Sequence, residues 1–491
     1  MAVSDPTDPI DPSGPAIDLA SVATRWTAEV LPLLQTFARI PCLSPAFDPH
    51  WESAGHIDAA AGLLADWAGS REIGGATAEV VRIPGLTPTV LVDVPATDPA
   101  GGTVLLYGHY DKQPPFDGWS PGLGPWEPVI DGDRLYARGV ADDGYALPSA
   151  LAAIEALDAA GVRHGRCLVV AEGSEESGSP HLEAVLAHLA DRIGVPDLVI
   201  ALDSSSPTYD RLWITTSLRG VMSGTLTVSV LDHGVHSGMA GAVVPSSFRL
   251  VRLLLDRLED PRTGDLLLPE LRATPTTEAA AAAAALAEAL AEAGRADPPF
   301  PLLPGLVVHG ADATERALRT AWSGSLAVVG ADGLPPAEEA GAVLRPSTSL
   351  KLVLRIPPTA DPVAASAAVA RTLTTDPPHG ATVAWSHVSA MGGFLAPPLS
   401  PWLERAVDDA SEAYFGKPSG RVGEGGTIPF TGLLADRFPG AQILPLGVLG
   451  PDSNAHGPDE SLHLPTASRI TACVAALLAA EARHGASASS P

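Results

Sequence analysis

The sequence contains very little cysteine, which limits how the fold can be held together. Only Cys42, Cys167 and Cys473 occur among its 491 residues. An odd number of widely spaced cysteines argues against a disulfide framework and favours a reducing compartment. Cys167 and Cys473 lie inside apolar runs, so we expect buried thiols in a fold stabilised by a hydrophobic core.

Basic residues are also scarce, and this excludes some classes of partner. The chain has 30 lysines and arginines against 57 aspartates and glutamates, a net charge of −27 at pH 7. Such a charge repels nucleic acids and anionic membrane surfaces, and it favours solubility and the binding of cations. We therefore expect no nucleic-acid partner and no membrane partner.

The sequence shows no signal peptide and no apolar run of membrane-spanning length. Residues 1–16 are rich in Asp, Pro and Ser, without a basic or an apolar stretch, and they are predicted to form a flexible tail. Together with the cysteine pattern, this indicates a cytoplasmic protein, although export by another route stays open.

The order of the predicted elements indicates one domain interrupted by another. A chain of 491 residues is expected to form two or three domains. Strands and helices alternate over residues 17–216 and resume over residues 392–491, which is typical of an α/β domain with a mainly parallel sheet. Residues 217–391 instead contain strands of alternating polarity, which predicts an inserted α+β domain.

Polar side chains follow several of the predicted strands. These side chains are His109 and Asp111, Glu175 and Glu176, Asp203 and, after a longer loop, His456. Ligands bind beyond the carboxyl ends of the strands in open α/β sheets, so we expect these segments to converge on one crevice. Any one of these residues alone would indicate only an ordinary turn.

The residue types in these clusters favour metal-dependent hydrolysis. Two histidines with several carboxylates and no cysteine suit zinc, manganese or cobalt. Two cations sharing a carboxylate would lower the pKa of a water and polarise the bond to be cut. Of the adjacent Glu175 and Glu176, one would bind metal and the other would act as general base. Without the other clusters, this pair would indicate a solvated acidic turn.

Five motifs in register carry a resemblance to a known family. They are G-H-Y-D, R-G-V-A-D-D-G, E-G-S-E-E-S-G-S, A-L-D-S and A-H-G-P-D-E. Over roughly residues 20–485 the chain resembles the dinuclear zinc aminoacylase and carnosinase metallopeptidases. The resemblance implies a zinc-exopeptidase catalytic domain with an inserted ferredoxin-like lid domain that forms a homodimer.

The resemblance also implies a set of metal ligands. One metal would be held by His109 and Asp203, and the other by Glu176 and His456. Asp142, in the R-G-V-A-D-D-G motif, would bridge the two metals. The expected cofactors are therefore two divalent ions per subunit, with zinc expected and manganese or cobalt as alternatives.

Two further carboxylates receive catalytic roles by the same resemblance. Asp111 would hydrogen-bond the ring of His109 and fix its tautomer. Glu175 would take a proton from the attacking water and later protonate the leaving amine.

The inserted region carries matches of its own. L-D-H-G-V-H-S-G resembles the family's lid motif, so His236 would reach the active site of the partner subunit and stabilise the oxyanion. Arg355 matches an arginine that binds the substrate's carboxylate, a group that suits a guanidinium. Residues 423–429 resemble the substrate loop, in which Gly426 would allow close backbone approach and Thr427 would donate a hydrogen bond.

One motif departs from the family pattern. Many relatives continue the bridging aspartate as D-x-K-G, whereas this chain has Asp142, Asp143, Gly144 and Tyr145 in succession. No ligand is lost, so metal binding is still expected. The difference puts in doubt the groups behind the ligands and the branch of the family, and it is the first place to look for a difference in substrate. The spacing between His109 and Asp142 resembles the dipeptidase branch of the family.

The sequence therefore predicts a metal-dependent dipeptidase or related exopeptidase that cleaves an amide bond near a free carboxylate. Two alternatives stay open. An N-acyl amino acid deacylase or a carbamoyl-type amidohydrolase would use the same site. A non-catalytic binding relative is the other alternative, which the complete set of ligands disfavours.

Overall fold

The computed structural model describes residues 17–488, so the predicted tail at residues 1–16 lies outside the described part of the chain. The chain divides into two units, here called unit 1 and unit 2. Unit 1 comprises residues 17–214, 397–420 and 433–488, and unit 2 comprises residues 215–396 and 421–432.

The first part of the chain alternates helices with strands. Its helices are α1 (Leu19–Arg25), α2 (Leu31–Ala38, joined to α1 by the π-helical turn Trp26–Val30), α3 (Trp51–Ala54), α4 (His56–Gly69), α5 (Ala146–Ala160), α6 (Leu182–His188) and α7 (Ala190–Ile193). Its strands are β1 (Thr77–Val81), β2 (Thr89–Val94), β3 (Thr103–His109), β4 (Val129–Asp131), β5 (Arg134–Tyr136), β6 (Arg166–Glu172) and β7 (Leu198–Ala201).

The middle and last parts complete both units. The middle elements are β8 (Trp213–Leu218), β9 (Gly220–Ser229), β10 (Val235–His236), α8 (Ser237–Ala240), α9 (Ser247–Leu255), α10 (Thr277–Glu292), α11 (Ala313–Trp322), β11 (Ser325–Asp332), β12 (Val343–Leu344), β13 (Ser347–Ile356), α12 (Pro362–Thr374), β14 (Thr382–Met391) and β15 (Phe394–Leu395). The last elements are α13 (Pro401–Phe415), β16 (Gly420–Glu424), α14 (Pro429–Arg437), β17 (Gln442–Pro445), β18 (Ser461–His463) and α15 (Leu464–Ala488).

Unit 1 is built on a six-stranded sheet in the order β1-β2-β6-β3-β7-β17. Strands β6, β3, β7 and β17 run parallel, whereas β2 runs antiparallel to both of its neighbours. Nearly every residue of β3, β6 and β7 is buried, as expected where helices cover both faces of a parallel sheet. The predicted mainly parallel α/β sheet is confirmed.

The helices of unit 1 share one hydrophobic core with this sheet. Buried apolar side chains of α2, α4, α5, α13 and α15 join those of the strands in a single cluster. Each fully buried leucine or valine of such a core contributes roughly 1.5–3 kcal/mol. The core fixes the carboxyl ends of the strands, from which the candidate site is built.

Among residues 17–488, one helix is long and apolar enough to cross a membrane by length and composition. This segment is Leu464–Ala486 within α15, and 78% of its apolar window is buried inside the structure. The helix packs against α5 and α13. Its apolar surface is therefore covered by the core of unit 1.

Unit 2 contains a four-stranded antiparallel sheet in the order β11-β13-β9-β14. The chain runs β9, α9, β11, β13, α12, β14, a β-α-β-β-α-β arrangement of the ferredoxin-like type, with α10 and α11 inserted before β11. Alternate residues of β9 and β13 are buried, and they pack against α9 and α12. The predicted inserted α+β fold is confirmed.

Two features of unit 2 differ from the sequence predictions. The sequence does not predict β14, because Thr382–Met391 contains no long apolar run and leaves most side chains exposed at the sheet edge. Residues 421–432 were expected to belong to the resumed first domain but lie in unit 2. The reason is that β16 joins the sheet β15-β8-β16.

Candidate metal centre

Neighbouring parallel strands of unit 1 place the candidate ligands. His109 is the last residue of β3, and Asp203 follows the end of β7. Glu175 and Glu176 form a short 3₁₀ turn after β6. Because β6, β3 and β7 are adjacent and parallel, their carboxyl ends lie at the same edge of the sheet.

Asp142 lies between two histidines from distant segments of the chain. Its Oδ1 atom is 3.1 Å from Nε2 of His109, and its Oδ2 atom is 2.9 Å from Nε2 of His456. The aspartate therefore directs one oxygen to each imidazole, which is the position that a bridging ligand needs.

The remaining carboxylates divide between the two histidines. Oδ2 of Asp203 is 3.7 Å and Oε2 of Glu175 is 4.0 Å from Nε2 of His109. Oε2 of Glu176 is 3.2 Å from Nε2 of His456. The ligand atoms therefore form two groups, and within each group the atoms lie within 4.8 Å of one another. One group is His109, Asp142 and Glu176, and the other is His109, Glu175 and Asp203.

Asp111 supports the glutamates as well as the histidine. Its two oxygens accept hydrogen bonds of 3.0 Å from the backbone N–H groups of Glu175 and Glu176. Nδ1 of His109 lies 3.2 Å from the Asp111 carbonyl oxygen and 3.5 Å from its carboxylate. The ring of His109 thus contacts both the backbone carbonyl and the carboxylate of Asp111. The carboxylate mainly anchors the turn of Glu175 and Glu176.

The charges of the site reinforce one another. Burial opposes the charged form of His456, but hydrogen bonds to Asp142 and Glu176 outweigh burial and raise the pKa of the ring to about 11. Burial also raises the pKa of Glu175 well above its ordinary value, and the charge of Asp203 adds to this. Closely spaced carboxylates are stabilised by positive charge, so the site attracts cations.

The donor set fits two divalent metal ions. Imidazole nitrogens and carboxylate oxygens converge in two groups that share His109, and no thiol belongs to either group. A further buried carboxylate oxygen, Oδ1 of Asp143, has no hydrogen-bond partner. Such a set is typical of zinc, manganese or cobalt sites rather than of structural thiolate sites.

The loop that carries His456 has an unusual backbone. Positive φ angles of 49° to 62° occur at four non-glycine residues: Asp452, Asn454, His456 and Asp459. Such conformations persist where the surrounding structure fixes them, and they cluster at functional sites. Here the fixing contacts include Asp459, which accepts hydrogen bonds from the backbone and hydroxyl of Ser120.

A buried ion pair that sequence reasoning missed joins the two loops of the site. Arg138 donates to Glu460 at 2.7 Å and to the Gly457 carbonyl at 2.6 Å. Glu460 in turn accepts from the backbone N–H groups of Gly139 and Asp142. The pair therefore ties the segment of His456 to that of Asp142. Glu460 ends the motif A-H-G-P-D-E, but nothing in the motif shows where its carboxylate points.

We expect Glu460→Gln to weaken metal binding by about 10- to 100-fold, as is usual when a group that orients the ligands is altered. The amide keeps the shape of the side chain but removes the charge facing Arg138 and one acceptor for the Asp142 loop. Competition with a chromogenic chelator measures the metal affinity. Glu412→Gln, at an exposed position of α13, is the control, and an unchanged affinity in Glu460→Gln would contradict the role.

The residues at the departure from the family pattern are buried. Tyr145 is fully buried, and its hydroxyl donates to the carbonyl of Leu202, next to Asp203. A side chain at Gly144 would clash with the ring of Phe37. Both residues are thus buried behind the candidate ligands.

Unit 2 holds the other predicted site residues. Arg355 donates to the hydroxyl of Thr427 at 2.8 Å, and Gly426 is exposed in the same loop. His236 is exposed at the end of β10, and its Nδ1 accepts from the N–H of Gly238 at 3.1 Å. Because Nδ1 accepts this bond, Nε2 is the ring nitrogen of His236 that can serve as a donor.

Comparison with family models gives one match that covers most of the chain. The model described as peptidase family M20/M25/M40 matches residues 105–480. This region contains all the ligand candidates of unit 1.

Individual relatives agree with this match. The chain is 26% identical to the cysteinylglycine-S-conjugate dipeptidase of Corynebacterium striatum over 364 residues, 73% of this chain and 77% of that protein. It is similar in fold to the solved structure of the dipeptidase Dug1p of Saccharomyces cerevisiae, with a TM-score of 0.74, 22% identity, and 95% and 99% of the chains covered. Human carnosine dipeptidase 1 gives a TM-score of 0.73, 21% identity, and 95% and 98% coverage. At these identities the two structural matches establish the fold alone.

Proposed function

Because the chain belongs to peptidase family M20/M25/M40, we propose that it is a metal-dependent dipeptidase. Its substrates are dipeptides or small peptides with a free carboxylate, and the reaction is hydrolysis of the amide bond. The observation that carries this proposal is Asp142, whose two oxygens contact His109 and His456. The curated relative from Corynebacterium striatum, described as a dipeptidase, supports the choice of substrate class.

The ligands of unit 1 suit two divalent cations per subunit. His109 and Asp203 would hold one cation, Glu176 and His456 the other, and Asp142 would bridge them. Zinc suits this set best, and manganese or cobalt would also fit. When bound, such cations polarise the scissile carbonyl and lower the pKa of a water molecule.

Glu175 is the residue of the chain that moves the proton. Its carboxylate belongs to one ligand group with His109 and Asp203, so it faces the same space as the proposed ligands. Oε2 would accept a proton from the attacking water, hold it while the amide bond breaks, and pass it to the leaving amine. Asp111 keeps Glu175 in place through its backbone N–H.

Residues of unit 2 would bind the rest of the substrate. Arg355 would bind the substrate's carboxylate, assisted by Thr427 and the backbone near Gly426. His236 would donate from Nε2 to the developing oxyanion of the partner subunit's reaction. This role requires a homodimer formed through unit 2, and we propose a cytoplasmic location for the enzyme.

A substrate panel tests the proposed activity. We expect the zinc-loaded or manganese-loaded protein to hydrolyse unmodified dipeptides with a kcat/KM at least about tenfold above that for N-acetyl or N-succinyl amino acids, since a tenfold ratio needs only about 1.4 kcal/mol of discrimination. Release of amino acids is measured by chromatography, with the chelated protein as the control. A preference for the acylated substrates would identify a deacylase, and tightly bound metal without any hydrolysis would identify a binding protein.

A further inference from the structure

Arg219 lies between β8 and β9 of unit 2 and holds a loop of the same unit. Its Nε atom donates to the carbonyl of Gly425 at 3.1 Å. One of its terminal nitrogens donates to the carbonyl of Ser323 at 2.8 Å. The guanidinium thus joins the glycine-rich loop to the segment that ends α11.

The backbone of Arg219 reaches the same loop at a second point. The hydroxyl of Thr427 donates to the Arg219 carbonyl at 2.5 Å and accepts from Arg355 at 2.8 Å. Arg219 therefore fixes both Gly425 and Thr427, and Thr427 fixes the guanidinium of Arg355. A chain of contacts connects the two arginines through the loop.

A glycine of the loop lies close to the guanidinium of Arg219. A Cβ atom at position 425 would lie 3.0 Å from a terminal nitrogen of Arg219 and 3.1 Å from the side chain of Thr320. Gly426 has open space around it. A side chain at position 425 would thus crowd the guanidinium of Arg219, whereas Gly426 leaves the backbone accessible.

The two arginines form an uncompensated positive charge. Both side chains are half-buried. In the described chain, the hydrogen-bond acceptors of Arg219 and Arg355 are carbonyl and hydroxyl oxygens, and no carboxylate lies within ion-pair distance of either. Burial and then the charge of Arg355 lower the pKa of Arg219 to about 10. A half-buried pair of like charges is stabilised by an anion.

We propose that Arg219 is a positioning residue for the substrate's carboxylate, holding Thr427 and Arg355 in place and adding a second positive charge to their site. This inference rests on the proposed function and assigns a role to a residue outside the motifs. The consequence is selectivity: the free carboxylate of a dipeptide binds much better than the neutral amide at the same position.

The test compares Ala-Ala with Ala-Ala amide, following cleavage of the bond between the two alanines. Arg219→Met removes both the charge and the donors, and Arg219→Lys keeps the charge but not the planar fork. Arg257→Met is the matched control, because Arg257 also lies half-buried in unit 2 and donates to the carbonyls of Thr372, Thr375 and Asp376.

We expect Arg219→Met to raise the KM of Ala-Ala about 10- to 100-fold and to change kcat less than about threefold. Hydrolysis of the amide should change far less, so the preference for the carboxylate falls. Arg219→Lys should recover part of the preference, and Arg257→Met should retain it in full. If Arg219→Met does not fold, Arg219→Lys provides the test. Its preference for the carboxylate over the amide must then fall below that of the wild type.

Two results would overturn the inference. One is an equal loss of kcat/KM for Ala-Ala and its amide in the Arg219 variants, which indicates a structural role only. The other is an unchanged preference. If the wild type hydrolyses neither compound, the proposed function fails separately, and the inference is then read from melting temperatures: Ala-Ala should stabilise the wild type more than its amide does, and Arg219→Met should abolish this difference.

Discussion

Replacing Glu175 by Gln is expected to reduce kcat about 100- to 10,000-fold, the range of a general acid–base group. The amide is nearly isosteric, but it cannot accept a proton from water or return one to the leaving amine. Oε2 of Glu175 lies 4.0 Å from Nε2 of His109, farther than the nearest oxygens of Asp142 and Asp203. We therefore expect both metal ions to remain bound in the variant. Steady-state kinetics with Ala-Ala and metal analysis of the dialysed variant measure the two effects.

The contrast between activity and metal content makes this prediction specific. Glu183→Gln, at an exposed position of α6, removes a glutamate without touching the site and should behave as the wild type. If Glu175→Gln kept its turnover, another group would be the base. If it lost one metal along with its activity, Glu175 would be a ligand, and the division of labour between Glu175 and Glu176 would be wrong.

The parts of the fold that could be predicted from the sequence are those whose burial leaves a regular pattern. Strands β3, β6 and β7 are buried on both faces and therefore form continuous apolar runs. Strand β14 escapes prediction because an exposed edge strand needs no such run. Its place is determined by pairing with β9, a contact between segments more than 150 residues apart in the sequence.

The candidate ligands could be predicted for a related reason. His109 ends one buried strand and Asp203 closely follows another, so the edge of a parallel sheet brings them together without further information. Arg138, Glu460 and Arg219 act instead through backbone N–H and carbonyl groups. Glu460 bonds the N–H of Asp142 from 318 residues away, and no spacing or composition in the sequence encodes such a contact.

The position of Asp142 leads to the second large prediction. Asp142→Asn is expected to lower the affinity for metal more than about 100-fold, beyond the usual effect of altering a group behind the ligands. The carboxylate places one oxygen toward each histidine, whereas an amide has one oxygen, no charge, and an NH₂ group that would face a cation. The binding of both cations should therefore be weakened together, and the rate of Ala-Ala hydrolysis should fall as metal is lost.

Metal content distinguishes this variant from Glu175→Gln. After dialysis against a weak chelator, inductively coupled plasma mass spectrometry should find close to two metal ions in the wild type and far fewer in Asp142→Asn. Asp66→Asn, at an exposed position of α4, should retain the wild-type content. Hydrogen bonds to His109 and His456 hold Asp142 ionised against the effect of burial. The loss of metal in Asp142→Asn should therefore follow from the missing negative charge. A variant that binds two metals as tightly as the wild type would show that Asp142 does not bridge them.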